Sequence, residues 1–219
     1  MIKLSQRLKL VASFVPDNSC VIDVGCDHAH LGIFLCEAKE NIKVLESDVN
    51  PNPLKIAKEN IRAYQMEDKI EVVLKDGIND LENFIDTVIV SGMGGILMSE
   101  IINNKENLGN VKTLILSPNN EFQTVRATLK KIGFKIEEEK LITEKKQTYL
   151  VIKAVKGKGR YDNFFGTLKN NDIETIFYYT KILNENTRIL KRIPKTKVIK
   201  IIKLKKENRR IKNFLEKRP

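Results

Sequence analysis

The stretch VIDVGCDHAH at residues 21–30 decides the fold, because an apolar strand runs there into one glycine and an acidic turn. The segment 20–24 has the length and apolar character of a buried parallel strand. A dinucleotide-binding turn has several glycines that let its backbone touch a pyrophosphate, whereas only Gly25 stands in place here. The carboxylate of Asp27 repels a pyrophosphate but attracts a cation. The turn therefore favours a positively charged ligand over a dinucleotide such as NAD.

Strand-like and helix-like segments alternate along most of the chain. We predict helices over 5–15, 31–38, 53–64, 96–103 and 121–131, and strands over 20–24, 42–45, 70–74, 87–90, 111–116, 134–142 and 147–155. This alternation predicts right-handed βαβ units and a doubly wound sheet, which places the chain in the α/β class. The last two strands follow each other directly, so they form an antiparallel pair. The predicted fold is Rossmann-like with a seven-stranded sheet.

Acidic residues follow the second and third predicted strands. Asp48 closes the second strand, where a carboxylate accepts hydrogen bonds from both hydroxyls of a bound ribose. Glu46 lies two residues earlier on the same face and is the competing candidate. The pair Asp76-Gly77 follows the third strand, where the adenine ring of a nucleoside cofactor would lie. An Asp-Gly turn is the structural alternative for that pair, but together with Asp23 and Asp48 it favours a binding site.

The segment Ser91-Gly92-Met93-Gly94-Gly95 follows the fourth strand, at the edge of the sheet where doubly wound folds bind ligands. Glycines there let the backbone approach a flat base and a methyl group, although a tight strand-to-helix turn has the same composition. S-adenosylmethionine is a cationic nucleoside without phosphate, and we predict it as the cofactor. The predicted cofactor-binding residues are Asp23, Gly25, Asp27, His28, Asp48, Val49, Asp76, Gly77, Ser91, Gly92 and Met93.

The positive charge of the chain is concentrated towards its C-terminal end. The formal net charge is +11, and residues 156–219 hold 19 Lys and Arg against 6 Asp and Glu. The 155 residues before them hold 20 basic against 22 acidic residues. This asymmetry favours a polyanion, and specifically nucleic acid, as a partner of the C-terminal part. A solvated helical face in a Lys-rich protein is the alternative.

A glycine-containing segment over 156–166 predicts a linker, which divides the chain into a catalytic domain, 1–156, and a basic helical domain, 157–219. Two runs with alternating spacings of three and four predict two short helices, joined near Pro194 as an antiparallel hairpin. Either a coiled-coil-like pair or a plain helical pair fits the pattern. The runs are Ile173, Ile176, Thr180, Leu183, Thr187 and Leu190, and then Ile201, Leu204, Asn208, Ile211 and Leu215.

Several classes of protein are disfavoured by composition. No apolar run approaches the ~18–20 residues that span a bilayer, and the first residues lack the apolar stretch of a signal peptide. Cys20, Cys26 and Cys36 have neither zinc-site nor redox-pair spacing. We therefore expect a cytoplasmic monomer with no membrane partner and no metal.

These motifs resemble those of the bacterial tRNA (adenine(22)-N1)-methyltransferase family. The resemblance covers the whole Rossmann part, and members of that family also carry a C-terminal helical, coiled-coil-like domain. It rests on LSQRL at 4–8, DVGCDHAHL at 23–31, Asp48 with Pro53-Leu54, DGI at 76–78, SGMGG at 91–95 and SPN at 117–119. His30, Gly32, Asn52 and Ser117 depart from the residues that the family usually or often has.

The resemblance implies a class I methyltransferase fold and methyl transfer to N1 of adenine 22 in tRNA. Adenine N1 already has an in-plane lone pair, so positioning should matter more than a strong base. Asp27 and Asn119 are candidate acceptors for the adenine amino group, and His28 could assist or shape the pocket. The C-terminal basic helices would hold the tRNA backbone. The predicted RNA-binding residues are Lys197, Lys200, Lys203, Lys205, Lys206, Arg209 and Arg210.

Two other functional classes compete with a tRNA methyltransferase. A methyltransferase of the same fold that acts on a small molecule or a protein explains the acidic turn equally well, but it does not explain the basic C-terminal domain. A non-catalytic RNA-binding module with a decayed fold is disfavoured, because Asp23, Gly25 and Asp48 occur together.

Overall fold

The computed structural model describes residues 2–103 and 106–217. The chain divides into two compact units, Met1–Thr167 and Leu168–Pro219. Within the described residues, no helix has the length and apolar character needed to cross a membrane. The described His, Cys, Asp and Glu side chains likewise form no group of three or more that could hold a metal ion.

The first unit is a seven-stranded sheet flanked by helices. Its helices are α1 Gln6–Phe14, α2 His30–Ala38, α3 Pro51–Ala63, α4 Gly95–Ile102 and α5 Phe122–Ile132, with a 3-10 turn at Glu106–Leu108. Its strands are β1 Cys20–Val24, β2 Lys43–Asp48, β3 Ile70–Leu74, β4 Thr87–Ser91, β5 Thr113–Ser117, β6 Phe134–Glu144 and β7 Gln147–Lys156. The strand order is β3-β2-β1-β4-β5-β7-β6. The predicted doubly wound α/β fold is confirmed, as is the antiparallel pair of β6 and β7, and β7 is also antiparallel to β5.

Strand β1 lies at the centre of the sheet and pairs in parallel with both β2 and β4. Val21 and Ile22 are fully buried, which explains why this strand is an almost continuous apolar run. The strand order reverses between β1 and β4. A crevice opens outside the carboxyl ends of the strands at such a reversal, and ligands bind there in open α/β sheets.

Strand β2 extends beyond the apolar run, which stops at Leu45, and ends at Asp48, the residue predicted to close it. It continues that far because Glu46 and Ser47 are buried and paired with β3. Two polar residues inside the sheet interrupt the apolar pattern that usually marks a buried strand. The extension carries Asp48 to the carboxyl edge of the sheet.

Residues that follow β7 remain attached to the first unit. Arg126 on α5 donates from Nε to Oε2 of Glu139 at 3.0 Å, and from Nη1 to the carbonyls of Asn163 and Phe164 at 3.1 and 2.7 Å. The backbone N–H of Thr167 donates to the other oxygen of Glu139. The division between the units therefore falls after Thr167, whereas the sequence placed it at 156, because the linker is held by this buried ion pair.

The second unit is a hairpin of α6 Ile173–Arg192 and α7 Val198–Glu216. The ring of Tyr179 packs against Phe214 at 5.5 Å between centroids, and Asn186 Nδ2 donates to Asn208 Oδ1 at 3.0 Å. Asn186 comes after Tyr179 in α6, whereas its partner Asn208 comes before Phe214 in α7. The two helices are therefore antiparallel, as predicted.

The residues predicted to lie between the two helices are buried to different extents in α6 and α7. In α7, the predicted residues Ile201, Leu204, Asn208, Ile211 and Leu215 are all buried or half-buried. In α6 the predicted face is only partly right: Thr180, Leu183 and Leu190 are half-buried, whereas Ile173, Ile176 and Thr187 are exposed. The buried residues of this helix are Thr175, Tyr179 and Asn186. Polar and aromatic pairs across the hairpin, rather than aliphatic spacing alone, set the rotation of α6.

Candidate active site

The turns that follow β1 to β5 meet at one edge of the sheet, because these strands are all parallel. The N–H groups of Gly25 and Cys26 donate to the carbonyl of Ser47 at 2.8 and 3.1 Å, which fastens the turn after β1 to β2. Gly25 has a φ of 75°, and a Cβ there would lie 2.3 Å from Met93 Cε. The positive φ favours glycine at this position, and any other residue would also displace the end of the Met93 side chain.

Asp23 and Glu46 lie opposite each other on β1 and β2, and both side chains are buried. Burial raises the pKa of Asp23 to about 7, against an opposing effect of the Arg7 charge. Burial, and then the neighbouring Asp23, hold the pKa of Glu46 well above its usual value. One or both groups therefore carry a proton at neutral pH.

The position of Glu46 decides between the two candidates for ribose binding. A Cβ placed on Gly32 would lie only 2.0 Å from Glu46 Oε1, so this carboxylate packs against the interior face of α2. Asp48 instead ends β2 half-exposed at the carboxyl edge, where its Oδ1 accepts from the N–H of Asn50 at 2.8 Å. The geometry favours Asp48 over Glu46 as the residue that a ribose could reach.

Asp27 and His28 form a pair on the turn after β1. Asp27 adopts a left-handed conformation with φ of 52°, and its Oδ1 lies 3.5 Å from His28 Nε2. The side chain of Asp27 is 76% exposed, whereas Nδ1 of His28 is covered and has no hydrogen-bond partner in the described part of the chain. Asn60 of α3 donates to the His28 carbonyl at 2.9 Å and holds this turn. The exposed Asp27 carboxylate is available to an external donor.

Asn119 joins the turn after β5 to the turn after β4. Its Nδ2 donates to the carbonyl of Gly92 at 2.6 Å, and its backbone N–H donates to the carbonyl of Met93 at 2.8 Å. The amide nitrogen is therefore in use, and Oδ1 is the acceptor that remains. The two predicted acceptors, Asp27 and Asn119, lie at the same edge on turns separated by β4.

Arg7 reaches the same edge from α1, and the sequence had assigned it no role. Its Nη1 donates to Ser91 Oγ at 3.0 Å, and its guanidinium lies over the ring of Tyr149, 5.2 Å from the centroid. A Cβ placed on Gly92 would lie 3.4 Å from Arg7 Nη1, so the two residues are in close contact. Arg7 belongs to the LSQRL motif at residues 4–8, but the spacing of that motif does not reveal which strand end Arg7 approaches.

The remaining predicted residues also lie at the ends of strands. Asp76 and Gly77 follow β3, where Gly77 has φ of 59° and a Cβ on it would lie 3.4 Å from Ile101 Cγ2. Val49 is 58% exposed just beyond β2. Asn120 was not predicted from the sequence as part of the site. Its Oδ1 accepts from the N–H of Gly95 at 3.0 Å and caps α4. This hydrogen bond helps to fix the glycine-rich turn.

The residues at this edge fit S-adenosylmethionine by their chemistry. Asp27, Asp48 and Asp76 offer exposed or half-exposed carboxylates to a ligand that has hydroxyl and amino donors and a positive charge, whereas the predicted Asp23 is buried against Glu46. Gly25 and Gly92, both with positive φ, leave room for close approach to the backbone. Fold and site together define an S-adenosylmethionine-dependent methyltransferase of the Rossmann type.

Comparison with known proteins agrees with this class. A family model described as "Methyltransferase domain" matches residues 4–152, and the chain belongs to that family. Among its relatives is the Bacillus subtilis tRNA (adenine(22)-N(1))-methyltransferase, 28% identical over 158 residues, which are 71% of this chain and 66% of that enzyme. The resemblance to the tRNA (adenine(22)-N1)-methyltransferase family is thereby confirmed.

Solved structures extend the similarity to the whole chain. A Streptococcus pneumoniae protein classed as a tRNA (m1A22) methyltransferase superimposes with a TM-score of 0.92 and 29% identity, covering 98% of this chain and 100% of that one. The same protein in complex with S-adenosyl-L-methionine gives a TM-score of 0.88 at 28% identity, with the same coverage. The cofactor predicted from the first turn is supported by that complex.

The residues predicted to bind RNA lie on or next to α7. Lys197 immediately precedes the helix, and the others lie within it. Lys197, Lys200, Lys203, Lys205, Lys206 and Arg209 are exposed, and Arg210 is half-buried. Since α7 faces α6 with its apolar residues, most of these cations are directed to solvent.

Proposed function

We propose that this chain transfers the methyl group of S-adenosylmethionine to N1 of adenine at position 22 of tRNA. The observation that carries the proposal is the similarity of the Streptococcus pneumoniae structure over 98% of the chain, which includes the basic hairpin as well as the methyltransferase domain. A small molecule or a protein substrate would not require that hairpin. The activity named for the Bacillus subtilis relative is the same modification.

The residues proposed to hold the cofactor each have a distinct task. S-adenosylmethionine supplies an electrophilic methyl group on a sulfonium. Asp48 accepts from the ribose hydroxyls and Asp76 from the adenine amino group, while Gly25 allows the backbone to approach. The acidic character of this edge favours a cationic ligand over a phosphate-containing one.

Asn119 is proposed to bind the target adenine. Its amide nitrogen is held by Gly92, so Oδ1 is oriented as an acceptor and can bind the exocyclic amino group of the adenine. Positive charge develops on the ring when N1 forms its new bond, and an acceptor at the amino group stabilises that charge. The lone pair of N1 needs no base before attack, so no proton has to be removed first.

Asp27 and His28 are the other residues proposed for catalysis. Asp27 is exposed beside the crevice and offers a second acceptor to the positively charged ring. His28 holds one end of that carboxylate and, through the turn, shapes the pocket. The target base must leave its stack to reach these groups, as in other enzymes that modify a base.

The hairpin is proposed to bind the tRNA backbone without reading sequence. The exposed cations of α7 can neutralise phosphates, which gives an affinity that falls steeply as salt increases. The residues proposed for this role are Lys197, Lys200, Lys203, Lys205, Lys206, Arg209 and Arg210.

Oligomeric state and location follow from the same proposal. A monomer is the expected form, because the proposed catalytic residues Asp27, His28 and Asn119 lie on turns at one edge of a single sheet. The cytoplasm is the expected location, because the proposed substrate is tRNA. Sedimentation of the purified protein with and without tRNA tests the first expectation.

The test of function is to map methylated nucleotides in tRNA. Unmodified tRNA transcripts are incubated with protein and S-adenosylmethionine, and 1-methyladenosine is located by primer extension and mass spectrometry. We expect a single modified position, adenine 22, and no product when that adenine is replaced by guanine. Methylation at another position, or equal methylation of the guanine variant, contradicts the assignment.

A further inference from the structure

The guanidinium of Arg7 lies at the carboxyl end of β4, beside the reversal of strand order between β1 and β4. It is positioned by a hydrogen bond to Ser91 Oγ at 3.0 Å and by the ring of Tyr149 at 5.2 Å. Its positive charge also opposes the burial that raises the pKa of Asp23. The hydrogen bond and the ring contact connect α1 to β4 and β7 at one point.

The contacts of Arg7 leave much of its hydrogen-bonding capacity unused. Nη1 donates to Ser91, but no partner within the described residues is found for Nε or Nη2. A planar guanidinium presents parallel N–H groups that match a carboxylate, often as two hydrogen bonds. Arg7 is therefore held in place on one side and can donate hydrogen bonds to an anionic group on another.

S-adenosylmethionine has such an anionic group at its amino-acid end. The carboxylate and ammonium on the same carbon need a cation and an anion side by side in the protein. Arg7 supplies the cation at the end of β4, and the exposed carboxylate of Asp27, on the neighbouring turn after β1, supplies the anion. Carboxylates at this edge, among them Asp48 and Asp76, would repel a ligand carboxylate that had no cation beside it.

We propose that Arg7 is a positioning residue that binds the α-carboxylate of S-adenosylmethionine from its place against Ser91, Gly92 and Tyr149. This inference rests on the proposed cofactor. By holding the amino-acid end, Arg7 fixes the sulfonium relative to the turn after β4, which in turn is joined to Asn119 through Gly92.

The experiment compares two ligands that differ at the amino-acid end. S-adenosylhomocysteine has the carboxylate and the ammonium, whereas 5′-methylthioadenosine has neither. Calorimetric titration of each ligand into wild-type protein and Arg7→Met, without RNA, isolates the contribution of Arg7 to that end. We expect Arg7→Met to weaken S-adenosylhomocysteine about ten- to a hundredfold, as for loss of a charged hydrogen bond, and to leave methylthioadenosine unchanged.

Three further variants define the role of the guanidinium. Arg7→Lys keeps the charge without the planar group and should lose less affinity for S-adenosylhomocysteine than Arg7→Met does. Tyr149→Leu removes the ring beneath Arg7 and should cause a smaller loss that is also specific for S-adenosylhomocysteine. Arg62→Met is the matched control, since Arg62 is an exposed arginine of α3 with 85% of its side chain accessible, and it should bind both ligands as wild type does.

The unchanged affinity for methylthioadenosine shows that the variant is folded. Equal weakening of both ligands by Arg7→Met would overturn the proposal, since Arg7 would then only support the fold. Unchanged binding of both ligands, with weaker binding of tRNA, would also overturn it and assign Arg7 to the RNA. If wild-type protein binds S-adenosylhomocysteine with the expected dependence on Arg7 yet methylates no tRNA, the inference stands and the proposed substrate fails.

Discussion

Asn119 Nδ2 lies 2.6 Å from the carbonyl oxygen of Gly92, so the turn after β5 is fastened to the turn after β4 at the edge of the sheet. This hydrogen bond uses the amide nitrogen of Asn119 and leaves Oδ1 as an acceptor. The contact therefore fixes the glycine-rich turn, and in the proposed mechanism it leaves Oδ1 to bind the target base.

Substitution of Asn119 should lower the rate of methyl transfer with little effect on binding of the cofactor. We expect Asn119→Ala to reduce kcat by about 10²-fold, by analogy with the loss of one polar group that stabilises a transition state. Asn119→Asp should be no better, because its carboxylate cannot donate to the Gly92 carbonyl. Single-turnover methylation of tRNA and titration of S-adenosylhomocysteine separate the two effects. Asn110→Ala, in an exposed turn, is the control.

Stability should fall as pH rises through the region between the ordinary pKa of Asp23 and its raised value of about 7. In that region the unfolded chain loses the protons of Asp23 and Glu46 while the folded chain keeps them, so the folded state binds more protons. The stabilisation is complete below the unfolded pKa and is lost as pH rises. Each unit of pKa shift corresponds to about 1.4 kcal/mol.

Glu46→Gln removes one of the two buried acids without changing its size. We expect urea unfolding to show a higher midpoint for Glu46→Gln than for wild type near neutral pH, and a smaller difference in mild acid. Glu71→Gln, on the exposed side of β3, should follow the wild-type curve. If Glu46→Gln changed the urea midpoint by the same amount at every pH, the buried acids would not control the dependence of stability on pH.

Loss of the Arg126 side chain should destabilise the first unit and release the segment after β7. The ion pair of Arg126 with Glu139 is buried, and removal of one partner from such a pair costs about 3–5 kcal/mol. Arg126→Met also leaves the carbonyls of Asn163 and Phe164 without their donor. We expect faster proteolytic cleavage within 157–167 and a lower urea midpoint. The double variant Arg126→Met with Glu139→Gln should recover part of the loss, because no buried charge remains unpaired.

The sheet and its turns could be predicted because their signals are local. An apolar run followed by Gly25 and Asp27 marks β1 and the first turn without reference to the rest of the chain. The polar end of β2 was harder to predict from the sequence, because burial of Glu46 depends on its packing against Gly32 of α2. Polar residues inside a sheet give no periodic signal when their partners are distant in sequence.

The role of Arg7 and the orientation of α6 required the folded structure. Arg7 meets Ser91, 84 positions away, and only the packing of α1 brings them together. In α6, aliphatic spacing selected Ile173 and Ile176, whereas Tyr179 and Asn186 face α7 because their partners lie there. Long-range pairs decide both features, and a single sequence carries little information about them.

Removal of charge from α7 should weaken tRNA binding and reduce its dependence on salt. A variant with Lys200→Gln, Lys203→Gln and Lys206→Gln loses three exposed cations of the hairpin. For each phosphate that is no longer neutralised, the slope of log affinity against log salt should decrease by about 0.7 to 0.9. Affinity for S-adenosylhomocysteine should not change, because the substitutions lie outside the methyltransferase domain. Fluorescence anisotropy of labelled tRNA at several salt concentrations measures the slope.

A control with the same reduction in charge distinguishes the hairpin from a general electrostatic effect. Lys55→Gln, Lys58→Gln and Lys69→Gln remove three exposed lysines on and after α3 in the first unit, and lower the net charge equally. If net charge alone governed binding, both triple variants would lose affinity and slope to the same extent. Direct binding of phosphates by α7 instead predicts a clear loss of affinity for the hairpin variant and a small one for the control. Equal slopes in the two variants would reject the hairpin as the tRNA-binding element.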